Sequence, residues 1–418
     1  MNGASVQPAR IALLTQGFTS AGGVQTVARW LADGLRSRGC EVTVFDLASS
    51  RSDELSRRIT SPRSWFRRPA LAVDRQAQLV RVGAEVVELE PARYLPRASL
   101  TRALVDFDLV QVVAGGPALG MAARRSGVPV VLQVATLVSW ERESQLDAAS
   151  TPLRVWRKRM TQIVSRIEAA SLRHAQAVMV ENAVMLRHVN RAAPHTMVEM
   201  APPGVDTTQF TPSSSGWQQH GPMLSVCRLA DPRKGLDRIL DAYALLHRSD
   251  PSTPHLVLAG RGELPNHLRE RLRTLELSDH VRVLSDVPLQ RLPELYRSAS
   301  VYLQASYEEG LGLSVIEAMA SGVPVVATRT AGSEVCVQPG VTGELVEQTE
   351  HVIDDFAQAI QSVRRSGETL ATASRRRAET KFSTETTLDR FVRMYDRILN
   401  GNPSCMPSSS ERQGSGVR

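Results

Sequence analysis

Two glutamates eight residues apart, Glu309 and Glu317, enclose the segment GLGLSVI, and no other pattern in the 418-residue chain is better suited to chemistry. Gly310 and Gly312 give a flexible loop after a short apolar run, and residues 314–320 have the composition to begin a helix. A helix start offers unpaired N–H groups and the positive end of a dipole, which suits a diphosphate. Glycines let the backbone come close to such a ligand. Carboxylates at the two ends of the loop can accept hydrogen bonds from sugar or ribose hydroxyls. Taken alone, two glutamates at this spacing also fit an ordinary surface helix, so the reading depends on the rest of the chain.

The elements that must position these residues alternate between apolar run, loop and amphipathic helix. That rhythm predicts α/β architecture, with parallel sheets covered by helices on both faces. Strands are expected at 11–15, 41–45, 109–113, 128–134 and 177–180, and again at 223–227, 255–259, 281–284, 301–304 and 324–327. Gly22 and Gly23 lie in the loop after the first strand, where Val24, Val27, Ala28, Leu31 and Leu35 then recur at helical spacing. Further helices are expected at 352–363 and 386–399. After Pro202 the polar stretch TTQFTPSSSGWQQHG has turn residues and no periodicity, and it reads as a linker between two domains. The tail from Gly401 reads as disordered.

Composition narrows the class. Hydrophobic residues make up 42% and charged residues 22%, as in ordinary soluble α/β enzymes. No run approaches a membrane-spanning length. The start, MNGASVQPAR, has neither the charged head nor the apolar stretch of a signal peptide. Four scattered cysteines, without a CxxC, fit a reducing compartment rather than a disulfide scaffold or zinc site. These features predict a cytoplasmic protein. Net charge is +7, and only Lys158, Lys234 and Lys381 among fifty basic residues are lysine. That bias is typical of GC-rich coding and fits a bacterial source.

The full stretch EEGLGLSVIEAMASGVPVVAT resembles the donor-site signature of glycosyltransferase family 4 (glycosyltransferase group 1), whose members are retaining enzymes of the GT-B fold. SVCRLADPRKGLDRILDAYALL and LVLAGRGE resemble two further signatures of that family. PPGVD ahead of them and TRTAGSEV and VTGELV after them match further landmarks in the usual order, so the likeness spans roughly residues 200–346.

The resemblance implies two Rossmann-like βαβ domains facing across a cleft. Residues 1–206 would bind the acceptor and 207–385 the nucleotide-sugar, with a helix at 386–400 crossing back to the first domain. It implies a metal-independent, retaining hexosyl transfer from a UDP- or GDP-linked sugar to an acceptor hydroxyl, with no cofactor beyond that co-substrate. Arg228 and Lys234 would grip the pyrophosphate, Glu309 the hydroxyls of the transferred sugar, and Glu317 the ribose. Backbone at Gly310, Leu311, Gly312, Leu313 and Ser314 would contact sugar and phosphate. Gly260 and Gly262 would let a loop run close to the nucleotide. Leu284 and Val287 would flank the base, although Ser285 stands where relatives often have glycine. Gly22 and Gly23 would face the donor phosphate and the acceptor.

One departure concerns the acceptor side. Many relatives carry a histidine at the end of the strand in VPVVLQVAT, where this chain has Ala135. The candidates to replace it are Gln133, Thr136 and Glu141. His174, His188 and His195 read as structural or surface residues. The rival readings are a degenerate sugar-nucleotide-binding subunit, motivated by Ala135, and a GT-B epimerase or phosphorylase. Two basic segments with aromatics, residues 57–68 and 154–159, fit peripheral contact with an anionic membrane at its cytoplasmic face, and equally a solvated loop and a helix with a buried tryptophan. Neither fits a nucleic-acid-binding motif.

Overall fold

The computed structural model describes residues 9–20, 22–147 and 151–399. The polar tail from Gly401 lies outside them. Two compact units are present. The first runs to Pro203 and resumes at Leu388, and the second is Gly204–Thr387.

The first unit contains β1 (Arg10–Thr15), β2 (Glu41–Leu47), β3 (Leu71–Asp74), β4 (Leu79–Val82), β5 (Leu109–Ala114), β6 (Val130–Val134), β7 (Ala177–Val180) and β8 (Met197–Met200). They form one sheet in the order β3-β4-β2-β1-β5-β6-β7-β8. Only the edge strand β3 is antiparallel to its neighbour. Strands β6 and β7 are buried along their whole length, which is why they read as unbroken apolar runs rather than alternating ones.

The second unit contains β9 (Met223–Arg228), β10 (Leu256–Arg261), β11 (Val281–Ser285), β12 (Val301–Gln304), β13 (Val325–Thr328) and β14 (Gly343–Val346). All pair in parallel, in the order β11-β10-β9-β12-β13-β14. The order reverses between β9 and β12. In an open α/β sheet the ligand crevice lies at such a point, outside the carboxyl ends of the strands. In the first unit the equivalent reversal falls between β1 and β5.

Four short strands, β3, β4, β8 and β14, were not expected. Each has four residues, and β3 and β8 have no fully buried position, so no apolar run marks them. The helix Gly367–Phe382 was also not expected. Its buried face includes Gly367, Ala371, Ser374 and Ala378, small residues that carry little hydrophobic periodicity.

The linker reading needs correction. Gly204 onward belongs to the second unit, and the polar stretch after it is bound in place. Phe210 is buried and packs edge-on to Tyr296. The Trp217 indole donates to the Ser300 carbonyl at 2.8 Å. Arg375 donates to the carbonyls of Phe210 and Thr207. Polar composition concealed a few anchors that hold the segment.

From Leu388 the helix Thr384–Leu399 packs within the first unit. Leu388 lies against Gly34, where a side chain would collide with it at 2.6 Å. Phe391 meets Trp30 edge-on, and the Tyr395 hydroxyl donates to Gln111 at 2.7 Å. Among the described residues no helix is long and apolar enough to cross a membrane.

Candidate functional site

At the carboxyl end of β9 the chain makes a tight turn, Pro232–Lys234, capped by Asp231, whose side chain accepts from the Arg233 N–H at 3.1 Å. Asp231 also binds the guanidinium groups of Arg228 (2.7 Å) and Arg233 (3.0 Å). Burial opposes its ionisation, but the hydrogen bonds and charge of Arg233, with that of Arg228, hold its carboxyl below the usual range. The sequence reading missed Asp231 as the organiser of these cations. It sits between them in RLADPRK, but its role follows from the turn.

Gly235 then takes a left-handed conformation, φ 60°, against the end of β12. A Cβ there would stand 2.0 Å from the Ala305 carbonyl oxygen. This close approach brings the loop after β9 onto the loop after β12. The Lys234 Nζ consequently donates to Glu309 Oε2 at 2.5 Å, with both side chains mostly enclosed. Two residues 75 apart in sequence thus form one charge pair at the reversal of strand order.

The loop after β12 ends at Gly312, φ 88°, which caps the helix Leu313–Ala320. The loop is held from outside. Gly332 donates its N–H to the Glu309 carbonyl at 2.9 Å and lies against Leu311, where a Cβ would approach backbone within 2.6 Å. The Cys336 thiol donates to the Leu311 carbonyl. Inside the helix start, the N–H groups of Leu313 and Ser314 are among the donors that helix geometry leaves without an internal acceptor. Glu317, one turn further, accepts from the Tyr296 hydroxyl at 2.8 Å. Burial pushes its carboxyl up to about 7, against the pull of that hydrogen bond. Tyr296 and Gly332 are further residues that sequence reasoning missed.

The neighbouring strands complete the edge. Gly260 crosses so close to β9 that a Cβ would stand 1.8 Å from the Cys227 carbonyl oxygen, and its own carbonyl accepts from Val287 at 3.2 Å. The Gly262 N–H donates to Asp286 at 2.9 Å. Ser285 pairs in register with Gly260, and Leu284 and Val287 are partly buried on the adjoining core. Arg228, Lys234, Gly260, Gly262, Leu284, Val287, Glu309, the 310–314 backbone and Glu317 are therefore gathered at one edge of the second sheet. Among the described residues no cluster of His, Cys, Asp and Glu could hold a metal ion.

In the first unit Gly22 is overlaid by Gln25, whose amide donates to the Gln16 carbonyl at 3.0 Å, while Gly23 faces open space. Gly22 and Gly23 belong to a different unit from the residues above. At the end of β6, Ala135 and Thr136 donate their N–H groups to the Gly115 carbonyl. Gln133 is buried and donates to Glu181 and to the Ala201 carbonyl, and Thr136 is buried as well. Glu141 faces Gly115 beside Val24. Glu168, almost fully buried, accepts from the Val138 N–H at 3.0 Å and abuts Gly116. His174 ends one helix, His188 lies in Ala183–Ala192, and His195 is in a loop.

An open parallel sheet of this order, with cations, carboxylates and a glycine-capped helix at its reversal point, together with a second unit built on a mostly parallel sheet, is the architecture of the GT-B fold. Solved structures agree on the fold. Sucrose-phosphate synthase from Thermosynechococcus elongatus superposes with a TM-score of 0.70 at 20% identity, covering 94% of this chain and all of that one. Anabaena HepE, solved in complex with UDP and glucose, gives 0.68 at 17%, covering 93% and 100%. A model of Glycosyltransferase Family 4 matches residues 21–209, and one of Glycosyl transferases group 1 matches residues 211–380. The chain belongs to the glycosyltransferases that these two models describe. The D-inositol 3-phosphate glycosyltransferase of Geodermatophilus obscurus is 35% identical over 47% of this chain, which spans 46% of that relative. The Rhodococcus opacus protein of the same name is 28% identical over 98% of this chain and 96% of its own length.

Proposed function

We propose that the chain transfers a hexosyl group from a UDP- or GDP-linked sugar to a hydroxyl of a glycolipid, polysaccharide or small-molecule acceptor. The observation that carries this reading is the Lys234–Glu309 pair at the point where the order of the second sheet reverses. In it, Lys234 and Arg228 neutralise the charge that builds on the leaving diphosphate, the task a metal ion performs elsewhere. Glu309 binds hydroxyls of the transferred sugar, and Glu317 binds the ribose with the carboxylate oxygen that Tyr296 leaves open. The N–H groups at Leu313 and Ser314 receive phosphate.

Ala135 does not oppose turnover. When reaction occurs on one face of the sugar, the leaving phosphate can take the acceptor proton itself, so a side-chain base is dispensable. Of the three residues near the missing histidine, Gln133 and Thr136 are buried, whereas Glu141 faces the Gly115 loop. Glu141 is the better placed to orient an acceptor. An inositol phosphate is a sensible first acceptor, in view of the named relatives.

The test is a panel of UDP- and GDP-sugars with candidate acceptors, read by release of nucleoside diphosphate and by the anomeric configuration of the product. Acceptor-dependent release with retention is expected. Binding of nucleotide without turnover on any acceptor would favour the degenerate subunit, and sugar-nucleotide conversion without acceptor would favour an epimerase.

A further inference from the structure

A cavity of the first unit is lined in part by the basic segment 154–159, and a second basic segment far away in sequence, 57–68, is tied to a residue of its wall. The cavity, of about 380 Å³, is lined by Arg51, Glu88, Leu89, Arg142, Trp156 and Arg157. The segment 57–68 is tied to its rim, because Thr60 donates from its N–H and hydroxyl to Glu88 at 3.3 and 3.1 Å. The segment 154–159 supplies Trp156 to the wall.

What these segments expose is unusual for a soluble surface. Phe66 is 95% exposed, and Trp65 and Trp156 are each about half exposed. The tryptophan of the second segment is therefore not the buried one a purely structural role would give. Nor is Phe66 simply on a loose loop. The Trp65 indole donates to the Arg58 carbonyl at 3.0 Å, and Ser64 exchanges hydrogen bonds with the Arg58 backbone, so the turn holds Phe66 outward.

Charge surrounds these rings. Arg63, Arg67 and Arg68 are exposed, and none joins a carboxylate among the described residues. No acidic residue occurs within 57–68 or 154–159. Of the nearby acids, Glu85 is matched by Arg57 at 3.5 Å and Glu90 by Arg142 at 2.6 Å, while Glu88 is held by Thr60 rather than by a cation. A partner must accept both aromatic edges and positive charge. Nucleic acid would meet the arginines but has no apolar layer for Phe66. A second copy of this chain would set one basic face against another. A bilayer with anionic headgroups supplies both terms.

We propose that this face of the first unit docks the protein on an anionic phospholipid bilayer. Trp65, Phe66 and Trp156 enter the headgroup region, and Arg63, Arg67 and Arg68 meet the lipid phosphates. The proposal does not rest on the donor-site reading, and its test needs no turnover.

The test is co-sedimentation of the full chain with vesicles of phosphatidylcholine, with and without phosphatidylglycerol. Binding at least about tenfold stronger to the anionic vesicles is expected, weakening as salt rises. Phe66→Ser should reduce it about fivefold, and Arg67→Ser with Arg68→Ser by at least as much. All these side chains are exposed, so an unchanged melting temperature shows that the variants fold. Equal retention on both vesicle types, or binding indifferent to either variant, would overturn the proposal. So would a dimer dissolved by Phe66→Ser in a protein that ignores vesicles, which would assign the face to a second copy.

Discussion

The Tyr296 hydroxyl donates to Glu317 Oε2 at 2.8 Å, which leaves the other carboxylate oxygen of Glu317 to meet a ligand. Tyr296 is fully buried beneath the helix start, so it fixes the carboxylate from the protein side. Tyr296→Phe removes one hydrogen bond to a charged group, worth about 1.5 kcal/mol or somewhat more. Donor KM should rise by about tenfold while kcat changes little, since the ribose is remote from the reacting carbon. Steady-state kinetics with varied donor would show it, and an unchanged KM would remove Tyr296 from this role.

Glu317 also predicts a pH dependence of binding. Burial pushes its carboxyl up to about 7, so the charged form that accepts a hydroxyl is lost as pH falls through that value. Donor KM should therefore increase from pH 8 to pH 6, flanking that value. In Glu317→Gln the rise should disappear, with affinity low throughout. A wild-type KM that is flat over this range would contradict the assignment.

Gly235 tests the geometry that joins the two loops. Its φ of 60° favours glycine, and a Cβ would stand 2.0 Å from the Ala305 carbonyl oxygen. Gly235→Ala must push the loops after β9 and β12 apart. A stability loss on the order of 1–3 kcal/mol is expected from denaturant unfolding. Activity should fall much further than stability, because Lys234 moves with the turn. Normal kcat in a destabilised variant would show that the close approach serves folding alone.

Glu168 gives a stability prediction of definite sign. Burial, with Glu141 and Glu90 nearby, raises its folded-state pKa to about 7, above the ordinary carboxyl value. The folded state then holds a proton that the unfolded state releases between pH 4.5 and 7. Stability contributed at this site therefore falls as pH rises through that window and is lowest above it. Glu168→Gln keeps an acceptor for the Val138 N–H and removes the buried charge. It should stabilise the protein by about 2 kcal/mol at pH 8 and very little at pH 5. Thermal melts across that range would show the two curves converging in acid, and parallel curves would refute it.

The donor-side elements were legible because each combines an apolar run with a local signal. Strands β9 and β10 are long and mostly buried and β12 and β13 wholly buried, while Gly235 and Gly260 sit where another backbone passes close and Gly312 where the chain turns left-handed. Glu309 and Glu317 stood out because their loop is short. Asp231 was not legible because its role follows from the turn it caps, and Tyr296 and Gly332 because each acts on a residue brought to it by a crossover. Nothing near Tyr296 in sequence marks it, because the charged partner of its hydroxyl lies 21 positions away. In the stretch after Pro202 the polar composition outweighed Phe210 and Trp217, whose burial depends on elements far along the chain. The environment of Ala135 was equally hidden: sequence listed Gln133, Thr136 and Glu141 together, and burial separates them.

The Lys234–Glu309 pair permits the most discriminating experiment. If Lys234 serves the diphosphate and Glu309 the sugar, their single variants should fail differently. Lys234→Ala should weaken nucleoside diphosphate binding and lower kcat/KM by roughly 10²–10³. It also leaves a mostly enclosed carboxylate without its cation, so stability should fall too. Glu309→Ala should lower transfer by a similar factor yet retain nucleoside diphosphate binding, because Lys234 loses its internal partner and remains free for phosphate. The double variant should be little worse than the poorer single one, since residues that act as a unit do not contribute additively. Calorimetry with UDP and GDP and transfer rates for all four proteins would complete the cycle. Strictly multiplicative losses would mean that the 2.5 Å contact is structural and that the two residues act on the donor separately.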